Sequence, residues 1–262
     1  GASDVYNTAV GFQAGLAVTT AIRNTLIGGL SGDALTAGAR NTTLGYAALS
    51  GDTLGSRTVA IGYEALGSQN FTTATDAYNV AIGYAAGNSV TTGQNNTLIG
   101  GLAGDAITAS NDNVAVGTAA LTTNTLSSEN VAIGRSALQE LNHTTATSGY
   151  NTAVGSDAGK SVTTGIHNVL LGGLAGDALT DADHNIAIGV SALGVDTLGS
   201  RSVAIGKATL ENQNFTTATN AYNVAVGYEA GNDITTGTQN TYIGGLAGDA
   251  ATASVENVAV GY

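Results

Sequence analysis

The sequence predicts an all-β protein, a parallel β-solenoid or β-roll of about 15 coils. A short phrase, Asn-(Thr/Val/Ile)-x-(Val/Ile/Leu)-Gly, returns along the whole chain, with Thr58 and Ser202 replacing the asparagine in two coils. From one phrase glycine to the next the steps are 17, 17, 17 and 21, and then the same series begins again. The four steps add up to 72, so superrepeats cover 7–78, 79–150 and 151–222, with a partial one at 223–262. A fixed period of this length is typical of stacked coils that contact only their neighbours.

The composition supports one repetitive structure over residues 1–262. Hydrophobic residues make up 43% of the chain, which excludes a solvated disordered tail, and no apolar run is long enough for a membrane helix. Methionine is absent, which indicates a segment of a longer protein. The net charge of −12 argues against nucleic-acid binding, because that function needs a basic face.

Counting the asparagine as position zero, positions one to three predict a short strand in every coil. Positions one and three share one face, because side chains alternate along a strand. Position two faces the other way and is mostly alanine, with leucine at Leu26, Leu98 and Leu170. Both faces are apolar or small, so we expect one to line the coil interior and the other to be covered by a neighbouring chain. We expect the valine–isoleucine columns to form the spine that excludes water.

The rest of each coil predicts corners and turns. Position four is glycine throughout, as a tight corner requires. Position seven is Ala or Ser, except for Thr209, and predicts a second short strand over positions six to eight. Polar residues before the next asparagine predict a turn, in which the asparagine adopts the left-handed conformation and bonds its own backbone. Coils stacked at about 4.8 Å would advance each superrepeat by about 19 Å.

The longer fourth coil contains the predicted binding residues. Insertions in solenoids map to loops on one face, where binding residues concentrate. Two columns of rings recur there, once in each superrepeat. The predicted receptor-binding residues are Phe71, Tyr78, His143, Tyr150, Phe215 and Tyr222. Two interpretations stay open: the rings are stacking platforms for sugars or a receptor, or they plug the open side of a wider coil.

The residues predict no enzyme, no metal site and no cofactor. The absence of cysteine removes disulfides, thiol catalysis and Cys-ligated metals. The three histidines, His143, His167 and His184, have no partners at ligand spacing. The phrase around Asp105 is similar to calcium-binding β-roll repeats, but it returns only every fourth coil and its register differs. We therefore expect Asp105 and its equivalents to form turns or chain–chain hydrogen bonds.

Two longer phrases resemble a known family. Asn79-Val-Ala-Ile-Gly-Tyr-Ala-Ala-Gly87 and Asn96-Thr-Leu-Ile-Gly-Gly-Leu-Ala-Gly104 resemble the repeats of long tail-fibre proteins of marine phages, cyanophages especially. The phrase Val203-Ala-Ile-Gly206 is also similar to the head repeats of trimeric autotransporter adhesins. The resemblance implies a parallel homotrimer of β-solenoids that attaches to a host-cell receptor, either glycan or protein. It implies an extracellular location, on a virion tail fibre or on a bacterial surface.

Further alternatives stay open at this point. The segment could be a purely structural extracellular filament without a receptor site. A monomeric hexapeptide helix of the acyltransferase kind is also conceivable, although 17 is not a multiple of six. The expected partners are copies of the same chain and a host receptor, with no nucleic acid and no membrane insertion in this segment.

Overall fold

The computed structural model describes residues 5–262 and confirms the predicted fold, a parallel β-solenoid. No helix occurs in this range, and so none that could cross a membrane. The chain divides into two compact units, residues 5–128 with 144–146, and residues 129–143 with 147–262. The first unit contains seven turns of the solenoid and the second contains eight.

The first unit is a parallel stack in which each coil supplies one three-residue strand to a single sheet. Its strands are β1 (Thr8–Val10), β2 (Thr25–Ile27), β3 (Thr42–Leu44), β4 (Gly55–Ser56), β5 (Val59–Ile61), β6 (Thr75–Asp76), β7 (Val80–Ile82), β8 (Thr97–Ile99), β9 (Val114–Val116) and β10 (Ser127–Ser128). The sheet order is β1-β2-β3-β5-β7-β8-β9, and β4 pairs with β6. The register joins equivalent positions of successive coils, such as Ala81 with Leu98.

The second unit repeats this architecture. Its strands are β11 (Val131–Ile133), β12 (Thr147–Ser148), β13 (Thr152–Val154), β14 (Val169–Leu171), β15 (Ile186–Ile188), β16 (Gly199–Ser200), β17 (Val203–Ile205), β18 (Thr219–Asn220), β19 (Val224–Val226), β20 (Thr241–Ile243) and β21 (Val258–Val260). The sheet order is β11-β13-β14-β15-β17-β19-β20-β21, and β16 pairs with β18. The short strands lie just before the asparagine position of the next coil.

Position two lines the coil interior, so the predicted valine–isoleucine spine is wrong. Ala81, at position two of β7, is fully buried, whereas Val80 and Ile82 lie on the outer face of the sheet. The reason is the narrow cross-section of the coil. A Cβ atom on Gly87 would lie 2.6 Å from Cδ1 of Leu98. Position two therefore holds a small residue, or leucine opposite glycine, in most coils, and the β-branched residues at positions one and three lie outside.

The asparagine at position zero joins successive coils, whereas the sequence predicted a bond to its own backbone. The backbone N–H of Asn168 donates to Oδ1 of Asn151 (3.0 Å), and that of Asn185 donates to Oδ1 of Asn168 (3.0 Å). Nδ2 of Asn168 donates to the carbonyl of Ala182 (2.8 Å). This ladder satisfies buried amides that would otherwise be costly. The left-handed residue is the one before the asparagine, such as His167 with a φ of 60°.

Leucine at position two is matched by glycine at position eight. The fully buried Leu98 packs over Gly104 of its own coil and Gly87 of the preceding one. A Cβ atom on Gly104 would lie 2.7 Å from Cδ2 of Leu98. The next coil reverses the pair, with Ala115 at position two and Leu121 at position eight. In each of these two coils the interior is thus filled by one leucine, at position two or at position eight.

Left-handed residues at positions four, six and eight replace the second strand that the sequence predicted. In the coil of β7, φ is 141° at Gly83, 50° at Ala85 and 58° at Gly87. The N–H of Ala85 donates to the carbonyl of Tyr63 in the preceding coil (2.9 Å). The N–H of Gly87 donates to the carbonyl of Ala103 in the following coil (3.0 Å). The alternating bonds tie each coil to both neighbours without an extended segment.

A buried polar network compensates for each coil that lacks the ladder asparagine. Where Thr58 takes this position, Nε2 of Gln69 donates to Thr58 Oγ1 (3.2 Å) and to Asp52 Oδ2 (2.7 Å). Oε1 of Gln69 accepts a hydrogen bond from Nδ2 of Asn79 (2.8 Å). The second unit repeats the network with Asp196, Ser202, Gln213 and Asn223. In the superrepeat between them the equivalent residues are Asn124, Asn130 and Leu141.

These buried carboxyl groups predict a pH dependence. Burial raises the pKa of Asp52 above its usual value, and the hydrogen bond from Gln69 offsets part of the rise. Burial acts in the same direction on the pKa of Asp196. The folded chain therefore holds protons that the unfolded chain has already lost, so its stability rises as pH falls through the folded pKa.

We expect the wild-type chain to become more stable relative to the Asp52→Asn/Asp196→Asn variant as the pH is lowered from neutral towards about 4. The wild type and the double variant share all other titrating groups, so the difference between them isolates the effect of Asp52 and Asp196. Thermal unfolding followed by circular dichroism at several pH values measures the difference in melting temperature. A difference in melting temperature that does not change with pH would contradict the raised pKa of Asp52 and Asp196.

Candidate binding surface

The outer face of each strand presents four columns of side chains, one residue per coil. They come from the residue before the asparagine and from positions one, three and five. In the coil of β7 these are Tyr78, Val80, Ile82 and Tyr84. No pocket opens in residues 5–262, so the candidate site is this surface rather than a cavity.

Three of the six predicted receptor-binding residues lie in the interior. Phe71, His143 and Phe215 are only 5%, 7% and 6% exposed. Their rings plug the wider coil and are not accessible as stacking platforms. Residues 72–74, Thr-Thr-Ala, follow this ring in the first superrepeat and are exposed. Nothing in the sequence separated the two interpretations, because both use an aromatic ring at this position.

His143 is the polar member of the three plugs. Its Nε2 lies 3.0 Å from the carbonyl oxygen of Thr164, and its Nδ1 is buried without a hydrogen-bond partner among the described residues. The imidazole therefore replaces a phenyl ring and gains one contact to the neighbouring coil. This arrangement packs the coil and offers no group to a ligand.

The other three predicted residues, Tyr78, Tyr150 and Tyr222, are about half exposed, at 50%, 52% and 51%. They belong to the column before the asparagine. The guanidinium carbon of Arg57 lies 5.5 Å from the ring centroid of Tyr78, and that of Arg201 lies 5.9 Å from the ring of Tyr222. These tyrosines remain the accessible part of the predicted site.

Tyr150 begins a stack of rings on successive coils. Its ring centroid lies 5.4 Å from that of His167, which lies 4.8 Å from that of His184. A hydrogen bond to Glu129 raises the pKa of Tyr150. The column thus combines aromatic, basic and acidic side chains at one register position.

Comparison with protein-family models, curated proteins and solved structures gave no match.

A second aromatic column at position five was missed by the sequence analysis. Tyr46, Tyr63 and Tyr84 are exposed and stack face to face, with ring centroids 5.5 Å and 5.6 Å apart. A hydrogen bond to Glu64 raises the pKa of Tyr63. The signal was available, because the three tyrosines follow the corner glycine in three successive coils. The stacked rings form an exposed aromatic column.

The surface offers no evident metal-binding group. Within residues 5–262, no three His, Asp or Glu side chains lie together as metal ligands would. Burial raises the pKa of Asp105, and its Oδ1 has no hydrogen-bond partner in the described part of the chain. Its backbone carbonyl accepts from the N–H of Ser89 (2.9 Å) in the preceding coil. Asp105 therefore lies in a turn that contacts the preceding coil.

Proposed function

We propose that this chain is a structural and adhesive fibre segment, the shaft or receptor-facing part of a phage tail fibre that mediates host attachment. The observation behind the proposal is the outer sheet face, in which position three is Val, Ile or Leu in every coil and position one is Val, Ile or Thr. The side chains at position three that are more than a third exposed include Val10, Leu44, Ile82, Ile133, Val154 and Ile243. Soluble monomers rarely expose continuous apolar surface of this kind.

Copies of the same chain are the proposed cover for this face. A parallel homotrimer would bury positions one and three and leave the polar columns before the asparagine and at position five as a rim. An apolar centre with a polar rim is the usual anatomy of a protein interface. The repeat resemblance to phage fibres and adhesin heads supports the same assembly.

Sedimentation equilibrium tests the assembly. One chain has a mass of 25.7 kDa, and we expect the wild type to sediment with three times that mass. We expect Ile82→Glu/Ile99→Glu to shift the mass towards that of one chain, because each interface would bury unpaired carboxylates. Thr72→Glu/Thr73→Glu adds the same charge on the insertion loop and should leave the mass unchanged. A wild-type mass of 25.7 kDa would exclude the trimer.

Cell binding tests attachment. Fluorescently labelled wild-type protein is expected to bind a subset of marine cyanobacterial strains. The variant Tyr78→Ala/Tyr150→Ala/Tyr222→Ala should bind at least about tenfold more weakly, because exposed tyrosines are frequent hot spots. Thr72→Ala is the matched control on the same coil. Undiminished binding by the triple variant would show that these tyrosines do not contribute to cell binding.

Two alternative functions lead to different results. A purely structural filament forms the trimer but binds no cells. A bacterial trimeric adhesin head forms the same assembly, and the parent gene would encode a membrane-anchor domain.

A further inference from the structure

Three of the seven Lys and Arg residues of this acidic chain fall on three successive coils at one register position. We name Arg23, Arg40 and Arg57 the arginine strip. Each precedes position zero and lies on the exposed outer face. The register pairs Thr25 with Thr42 and Thr42 with Val59, so the three arginines occupy equivalent sites on adjacent rungs.

The backbone fixes the strip in place. The φ angles of Arg23, Arg40 and Arg57 are 61°, 61° and 62°. The N–H of Arg40 donates to the carbonyl of Ile22 (3.0 Å), and that of Arg57 donates to the carbonyl of Ala39 (2.9 Å). Rungs are separated by about 4.8 Å, so three positive charges are held along a line of about 10 Å.

The charge of the strip is largely uncompensated. Arg57 forms an ion pair with Asp76, with Nε 2.9 Å from Oδ1. In residues 5–262 no carboxylate forms an ion pair with Arg23 or Arg40. Two of the three exposed guanidinium groups therefore have no carboxylate partner in the described part of the chain and are available to an anionic ligand.

Folding does not require arginine in this column. The equivalent residues of the second superrepeat are the neutral Asn95 and the acidic Asp112 and Glu129. Those of the third are His167, His184 and Arg201. Neutral, acidic and basic side chains all occupy the same left-handed position. The run of arginines is thus a feature of the surface chemistry rather than of the backbone.

We propose that the arginine strip binds an anionic polysaccharide through its carboxylate or sulfate groups. Guanidinium groups match these planar or multidentate anions with paired hydrogen bonds. A nucleic acid fits less well, since only three charges face it from a chain with a net charge of −12. The inference rests on the proposed attachment function for its biological setting.

Isothermal titration calorimetry tests the proposal with heparin as the sulfated probe and polygalacturonate as the carboxylated probe. Dextran is the neutral control, and a short DNA duplex tests for general polyanion binding. We expect the wild type to bind both anionic polysaccharides more tightly than DNA, and to ignore dextran. The affinity should fall as the salt concentration rises.

The variant Arg23→Gln/Arg40→Gln should lose roughly tenfold in affinity per arginine. Lys160→Gln/Lys207→Gln removes the same charge elsewhere and should have little effect, because distant exposed charges are screened. Circular dichroism checks that each variant is folded.

Three results would overturn the proposal: equal binding by the wild type and Arg23→Gln/Arg40→Gln, equal loss in the lysine control, or tighter binding to DNA. Sedimentation of the same samples separates this inference from the proposed function. If the chain forms a trimer but binds neither polysaccharide, the fibre proposal stands and the arginine strip is excluded as a ligand site.

Discussion

Replacing Gly100 with alanine should lower the free energy of unfolding by about 3–5 kcal/mol, whereas the same change at the adjacent Gly101 should be nearly neutral. Gly100 is a corner glycine with a φ of 131°, a region that residues with a Cβ rarely adopt. A Cβ atom there would lie 2.5 Å from the carbonyl oxygen of Gly117 in the following coil. That oxygen belongs to the backbone, so the coils themselves would have to separate.

Gly101 provides the matched control. A Cβ atom at this position would meet nothing within 4 Å, and its φ lies outside the left-handed region. Urea unfolding of Gly100→Ala, Gly101→Ala and the wild type, followed by circular dichroism, measures the difference. Equal stability of the two variants would show that the backbones at Gly100 and Gly117 are not in close contact.

The second large effect is expected at the interior leucine of the same coil. Leu98→Ala should reduce stability by about 3–5 kcal/mol, because the residues on either side are glycines and cannot fill the cavity. Gly87 and Gly104 have no side chains, and their backbones are fixed by hydrogen bonds to neighbouring coils. The loss should fall at the upper end of the range for buried leucines.

A double-mutant cycle with Gly104 tests the volume match directly. In the wild type, a Cβ atom on Gly104 would collide with Leu98 at 2.7 Å. Gly104→Ala should therefore be less damaging in the Leu98→Ala background than alone, with a coupling of about 1 kcal/mol or more. Additive losses would mean that these residues do not face each other across the interior.

The repeat length, the strand positions and the parallel stacking followed from the sequence, because a fixed period with invariant corner glycines leaves few other folds. The face of the strand that lines the coil interior could not be predicted from the sequence. Alternation assigns positions one and three to one side and position two to the other, but both sides are apolar. The choice depends on volume, and only the contact of Gly87 and Gly104 with Leu98 reveals how narrow the interior is. The available signal was that leucine at position two is paired with glycine at position eight, whereas leucine at position eight is paired with alanine or threonine at position two.

Two properties decide which of the predicted binding residues are exposed: whether the residue lies on the inner or the outer side of the coil, and how its ring packs. Phe71 turns inward, and its backbone N–H donates to the buried Oδ1 of Asp52 (3.1 Å), which places the ring beneath the insertion. Tyr78 immediately precedes the ladder asparagine and therefore faces outward. Reading that column along successive coils would have located the arginine strip, since its members recur at the coil period. Its significance depended on knowing that the column is exposed.

In-register stacking of the coils fixes the distance between equivalent residues of successive superrepeats, and this distance can be measured. Thr20 and Thr92 are exposed, lie in the same unit and occupy the same position of the first and second superrepeats, and the chain has no native cysteine. Spin labels on Thr20→Cys/Thr92→Cys, diluted into unlabelled protein, report this distance by double electron–electron resonance. Stacked coils predict a narrow distribution centred at about 19 Å, four rungs of about 4.8 Å. A broad distribution, or one centred well away from that value, would contradict the in-register solenoid.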